Sequence, residues 1–284
     1  MSEPFTPSRI HVVVGTPWND AVISRLEPSS PFRPWPEVPD ARPGDGIVLI
    51  IDSEPRLVLP DVVRVDVPGG AAQALAERNW WWLGSAVPVL RVGCGLNSLD
   101  EVCALLEGRA AAALADALDG YRFDRDNEIL FGDSSMAQAA VLLESRGRCS
   151  GCDETFDLHG PAARENVGIW TVDELRYEAP PPTGPQSLDL DDEVEDPWPP
   201  SLPVDWPAAL CISCQAAMRD CGFETFLDYR FWRHPTCPRC DERRTQRALF
   251  GMLSLDARID PWRDPRGCCV TPDDWTCARC GYRW

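Results

Sequence analysis

Apolar and polar positions change period several times along this chain, and each change marks an element. Ile10-His11-Val12-Val13-Val14 is a β-branched run closed by Gly15-Thr16-Pro17, which predicts a strand. Residues 28–44 are rich in proline, hold Trp35 and predict an irregular connection. The turn Arg42-Pro43-Gly44-Asp45-Gly46 leads into the apolar run Ile47 to Ile51. Leu57, Leu59, Val63, Val65 and Val67 then recur with a period near two, predicting a β-hairpin or meander. Val87 to Val92 predicts another strand. After Gly93-Cys94-Gly95-Leu96-Asn97-Ser98, Ser98 and Glu101 form a capping box that satisfies the free N–H groups of a helix start. Val102, Leu105, Leu106, Ala113, Leu114 and Leu118 supply an apolar stripe, so this helix is expected to run to about Leu118. A second helix is predicted from Asp133 or Ser134 to Arg146, with Gly147 ending it in a left-handed conformation.

The chemistry lies further on, in four Cys-x-x-Cys pairs: Cys149/Cys152, Cys211/Cys214, Cys237/Cys240 and Cys277/Cys280. This spacing lets two thiolates from one tight turn reach the same ion, and tetrahedral Zn²⁺ needs two such turns. Four pairs therefore predict two structural zinc sites. Residues 1–10 show no basic start followed by an apolar run, so a secreted disulfide framework is not expected. Spacing leaves the pairing open. Between Cys152 and Cys211 lie 58 residues, between Cys240 and Cys277 lie 36, and a cross-paired site from Cys211/Cys214 and Cys237/Cys240 would span only 22. Cys221, His234, Cys268 and Cys269 are spare potential ligands.

All 27 basic residues are arginine, which removes P-loop, Schiff-base and kinase chemistry, each dependent on a lysine amine. The net charge of −18 argues against a large nonspecific nucleic-acid surface, but the charge is uneven. Residues 149–218 carry 2 arginines against 14 acids, much of the acid in a proline-rich insertion at 178–207; residues 219–284 carry 12 against 10 and are the only net-basic segment. Arg239, Arg243, Arg244 and Arg247 cluster there beside a cysteine pair and are candidate nucleic-acid contacts. Trp81, within Asn79-Trp80-Trp81-Trp82, and Trp35 are candidates for stacking on a base. The glycine turn at 93–98 resembles a dinucleotide-binding turn, but Ser98 replaces the third glycine and no acidic residue ends a following strand. No nucleotide cofactor is expected.

Three resemblances add to this reading. Trp35, Pro43-Gly44-Asp45, Ile47 to Ile51 and Leu57 to Val67 resemble the opening of PUA-like domains of the EVE type, small mixed barrels that hold a modified nucleobase. Leu142-Leu143 through Cys152, Phe156-Asp157-Leu158-His159 and Trp206 through Cys214 are similar to the treble-clef frame of HNH nucleases. That likeness implies a structural zinc, His159 as the base that activates water, and a second metal ion, Mg²⁺ or Mn²⁺, on the phosphate. Cys237 to Cys280, ending in Cys-Gly-Tyr-Arg-Trp, resembles a zinc ribbon.

The resulting expectation is an α+β protein. A small mixed β-barrel-like domain with helices at 1–132 precedes a treble-clef, HNH-like zinc module at 133–232 and a zinc ribbon at 233–284. The expected function is recognition of nucleic acid, DNA in particular, with modification-dependent cleavage of DNA implied by the resemblance; a noncatalytic adaptor that binds a protein partner is the competing class. No apolar run approaches the roughly 18 residues of a membrane helix, so a cytoplasmic protein without a membrane partner is expected.

Overall fold

A computed structural model describes residues 7–66, 86–96, 103–121, 127–177, 202–251 and 259–284. The chain divides into two compact units, each built from two stretches: residues 1–173 with 207–216, and residues 174–206 with 217–284. Both mix helix and strand, as an α+β chain should.

The first unit is organised by β1 (Arg9–Gly15) and β2 (Gly46–Ile51), which pair in parallel from Ile10↔Gly46 to Gly15↔Ile51. Parallel neighbours need a crossover, and α1 (Trp18–Leu26) supplies it. Strand β3 (Leu57–Val58) and strand β4 (Val63–Arg64) return antiparallel to β2 in two short pieces. Pro60 lies between them and has no N–H to keep the ladder continuous. Strand β5 (Val87–Pro88) pairs with β3, after which the predicted strand turns into α2, one helical turn at Val89–Val92.

The segment predicted as helix from Ser98 divides differently. Residues 97–102 lie outside the described residues. Cys103–Glu107 is strand β6, antiparallel to β1, and only Arg109–Gly120 is helical, as α3. The physical reason is the edge of β1. Its N–H and C=O groups need a partner strand, and Cys103–Glu107 supplies one in the register Ile10↔Leu106. The sheet order is β5-β3-β2-β1-β6, with β4 also on β2. Among the described residues this sheet is open, so the expected closed barrel is not formed.

Both central strands are buried on both faces. Ile10, Val12, Val14, Val48, Ile50 and Val58 meet Ala111, Leu114 and Leu118 of α3 on one side. On the other side α1 lies against β1 and β2 and also against α4 (Ser135–Glu144). Seven of its nine residues are buried, including Asp20, Ser24 and Arg25. Trp35, 6% exposed, fills the space over Gly15, where a Cβ would overlap its ring, and donates its indole N–H to Ser24 at 3.0 Å. Ser134 caps α4 by accepting from the Ala137 N–H, as predicted; the helix stops at Glu144 rather than Arg146, and the left-handed turn after it takes in Arg146 at φ +51° as well as Gly147 at φ +74°.

In the second unit, α6 (Phe226–Trp232) is capped by Thr225 and buries Phe226, Tyr229 and Phe231. Strands β10 (Arg263–Pro265), β9 (Thr245–Leu249) and β11 (Trp275–Cys277) form a three-stranded sheet in that order. Among the described residues no helix is long and apolar enough to cross a membrane.

Candidate metal centres

Three of the four cysteine pairs sit on the same backbone turn. In Cys149–Cys152, Cys237–Cys240 and Cys277–Cys280, the residue after the second cysteine donates its N–H to the carbonyl of the first, at 2.8, 3.0 and 3.0 Å. That following residue is Asp153, Asp241 or Gly281, and each has a left-handed backbone, φ +63°, +58° and +64°. The first cysteine's N–H then donates to the carbonyl five residues on, at Glu154, Glu242 and Tyr282. The turn is closed from both ends, which leaves its inner N–H groups to face sulfur. Gly151 and Arg239 donate to Cys149 and Cys237 at 3.3 and 3.4 Å.

Cys211 and Cys214 are presented differently. Strands β7 (Val167–Trp170) and β8 (Ala208–Cys211) form an antiparallel hairpin, and helix α5 (Ile212–Asp220) starts immediately after it. Cys211 ends the hairpin and Cys214 lies in the first turn of the helix, where unpaired backbone N–H groups favour a thiolate. Ser150 donates to the Ala209 carbonyl at 2.8 Å, and the Cys211 N–H donates to the Cys149 sulfur at 3.3 Å. Gly168 of β7 is where the Gln215 side-chain amide packs, leaving no space for a Cβ. Knuckle, hairpin and the first turn of the helix therefore converge, and the four cysteines they carry belong to the first unit.

The sulfurs of Cys149, Cys152, Cys211 and Cys214 all lie within 4.8 Å of one another, as do those of Cys237, Cys240, Cys277 and Cys280 in the second unit. Sulfurs at about 2.3 Å from a tetrahedral zinc stand about 3.8 Å apart. The Cys152–Cys211 and Cys237–Cys280 separations are 3.8 Å, and those of Cys240 to Cys277 and Cys280 are 3.5 and 3.4 Å. All thirteen cysteines are free thiols. Both groups could hold zinc, and their donor chemistry calls for a cation. The sulfhydryl of Cys214 and the N–H groups around Cys149 pull its thiol down to about 4, while burial and the Cys149 charge push Cys152 up. Burial likewise pushes Cys277 up to about 12, whereas the Tyr282 N–H and the neighbouring thiols draw Cys280 down to about 7. One ionised sulfur in each group makes the next costly to ionise, and a divalent ion among them removes that conflict.

The other expected site residues are scattered. Trp35 is in the core, where no base can stack on it, and Trp81 lies outside the described residues. His159 stands in the first unit with its side chain 67% exposed. Its Nδ1 is 2.9 Å from the Ser29 hydroxyl and its Nε2 is 3.7 Å from Glu27. Arg239, Arg243 and Arg247 are exposed in the second unit. Arg244 is half-buried, 3.2 Å from Asp228 and lying over the Phe231 ring. Of the spare ligands, Cys221, Cys268 and Cys269 are exposed, and the His234 ring is turned to the Thr245 carbonyl at 2.6 Å. Among the described residues the two four-cysteine groups are the metal-ligating clusters present.

Sequence reasoning overlooked the residues that shape the turns. Asp153, Asp241 and Gly281 follow the second cysteine of three pairs, and aspartate and glycine are residues that accept a left-handed backbone. Gln215 in the fourth pair is not of this kind, and that pair opens a helix. No protein-family model, curated protein sequence or solved structure matches the chain.

Proposed function

We propose that this chain is a zinc-stabilised nucleic-acid-binding protein whose second unit carries the binding surface. One observation supports this most strongly. Arg239, Arg243 and Arg247 are exposed around a four-cysteine centre, within the only net-basic segment, and make no ion pair with any described acid. Uncommitted guanidinium groups held on a rigid knuckle and an adjacent strand suit phosphate, which they contact with loss of counterions.

In this reading the first unit's cysteine centre is a treble-clef frame, a reading supported by its order of knuckle, hairpin and helix. Its role is structural. Cleavage receives no comparable support, because both His159 nitrogens face Ser29 and Glu27 and no further ligand cluster accompanies them among the described residues. A pocket for a modified base built on Trp35 is likewise unsupported, since that ring is enclosed by α1 and Gly15.

Zinc-loaded protein is mixed with labelled DNA over a salt series. The affinity should fall steeply with salt, and Arg239→Glu with Arg243→Glu and Arg247→Glu should abolish binding while zinc content stays constant. An unchanged affinity in that variant would overturn the assignment. In the presence of Mg²⁺ the DNA should remain intact; cleavage lost on His159→Ala would restore the nuclease reading. The overall charge of −18 favours a protein-binding adaptor as the second reading, which gains if no nucleic acid is retained at all.

A further inference from the structure

One face of the second unit's sheet carries side chains that the metal centre does not use. Residues directly opposite one another in a sheet share a face. Arg263, Arg247 and Trp275 are opposite one another across β10, β9 and β11. Trp284 extends the row, because it exchanges backbone hydrogen bonds with Trp275 at 3.0 and 3.2 Å. Tyr282 lies two residues before Trp284 and so stands on the same side. The two rings run nearly parallel, with centroids 6.1 Å apart and planes 14° from each other.

The opposite face carries a buried polar network. Asp264 and Thr276 point there and are buried with Arg266, which donates to Asp264 at 2.7 Å, while the Thr276 hydroxyl also donates to Asp264. On the first face Trp275 already has a partner, the His234 ring at 4.8 Å. The Tyr282–Trp284 pair differs. Tyr282 is 39% exposed, Trp284 is half-buried, and neither takes a further ring among the described residues. In the same row as Trp284 stands the exposed Arg247, which has no acidic partner among those residues.

We infer that this face binds a single-stranded nucleic acid, its bases stacking on Tyr282 and Trp284 and its phosphates meeting Arg247. The inference rests on the nucleic-acid reading above and narrows it. A duplex keeps its base faces inside the stack, so it would use the arginines and leave the aromatic pair idle. A single strand uses both, and stacking is tolerant of sequence because every base has a π face.

The test uses the zinc-loaded full chain with labelled oligo-dT and oligo-U strands of about 16 nucleotides, a span that one such binding surface can cover, and a duplex of equal length. Fluorescence anisotropy at physiological salt should show strand bound more tightly than duplex; the dT and U arms tell DNA from RNA. Trp284→Ala and Tyr282→Ala should each weaken strand binding by about tenfold, and Trp284→Phe should restore most of it, with two zinc ions retained throughout. Should Trp284→Ala shed zinc, the more exposed Tyr282→Ala carries the comparison. Duplex bound as tightly as strand, or Tyr282→Ala binding as wild type does, would overturn this inference and leave the arginine surface standing. Failure of wild-type protein to bind either form would overturn both.

Discussion

The backbone N–H of Cys211 donates to the sulfur of Cys149 at 3.3 Å, across 62 positions of sequence. This contact explains how a cysteine site can tolerate so long a gap. The chain between the two turns includes a hairpin strand that returns Cys211 to the knuckle, and the remainder leaves and re-enters at one place. Tyr177 and Pro203 are bridged, and the Val204 N–H donates to the Arg176 carbonyl at 2.8 Å.

Because those ends are already side by side, replacing residues 179–201 with a Gly-Gly-Ser turn should leave the first centre intact. Closing a shorter loop costs no more entropy than closing the natural one. Metal analysis and far-UV circular dichroism of the shortened protein check this, and loss of a zinc ion would show that the excised residues support the site.

Trp35 belongs to the core of the first unit, and its loss should be felt as stability. Trp35→Ala removes a buried indole and leaves a cavity over Gly15, a change that costs about 3–5 kcal/mol. Urea denaturation measures this cost. Nucleic-acid affinity of the folded variant should match that of wild type, whereas a specific loss of binding with unchanged stability would return Trp35 to the ligand site.

Arg266 and Asp264 form a nearly buried ion pair in the second unit, their side chains 3% and 5% exposed. Removing one partner strands the other charge away from water. Asp264→Ala should therefore destabilise this unit by about 3–5 kcal/mol, and the Asp264→Asn variant by less because the amide still accepts from Arg266 and Thr276. Thermal unfolding of the three proteins orders them directly.

Asp45 provides a pH-dependent contribution in the first unit. Burial pushes its carboxyl up, but the Arg42 N–H, His11 at 3.0 Å and Arg9 at 3.4 Å outweigh that and hold it below the ordinary value. A depressed carboxylate stabilises the fold above its unfolded value near pH 4, and that stability is lost as pH falls through the folded value. Asp45→Asn should cost about 1–3 kcal/mol at pH 7 and progressively less below about pH 4. A difference that stays constant with pH would show that packing, not charge, is what Asp45 supplies.

How much of this could be read from sequence follows from how local each signal is. Strands β1 and β2 announce themselves as dense, mostly β-branched runs because both their faces are buried, and the cap at Ser134 with the turn at Gly147 needs only neighbouring residues. Each cysteine pair is also local, so the ligands were legible, although which pairs meet depends on the β7–β8 hairpin and could not be. Helix α1 escaped because it is packed between the sheet and α4. Without a solvent side it has no polar stripe, and its buried Asp20 accepts from Arg164, which lies outside the helix in a turn at Pro161–Arg164. The sequence of β6 reads as helix because Val102, Leu105 and Leu106 also fit a helical spacing. Only the open edge of β1, a tertiary fact, decides between the two.

The most direct test is zinc per chain in protein purified from metal-defined medium, by inductively coupled plasma mass spectrometry. The account predicts two zinc ions in wild type and one in each of Cys149→Ser and Cys277→Ser, with the surviving ion in the unmutated unit. A wild-type ratio below two at full folding, or a Cys211→Ser variant that keeps both ions, would contradict it.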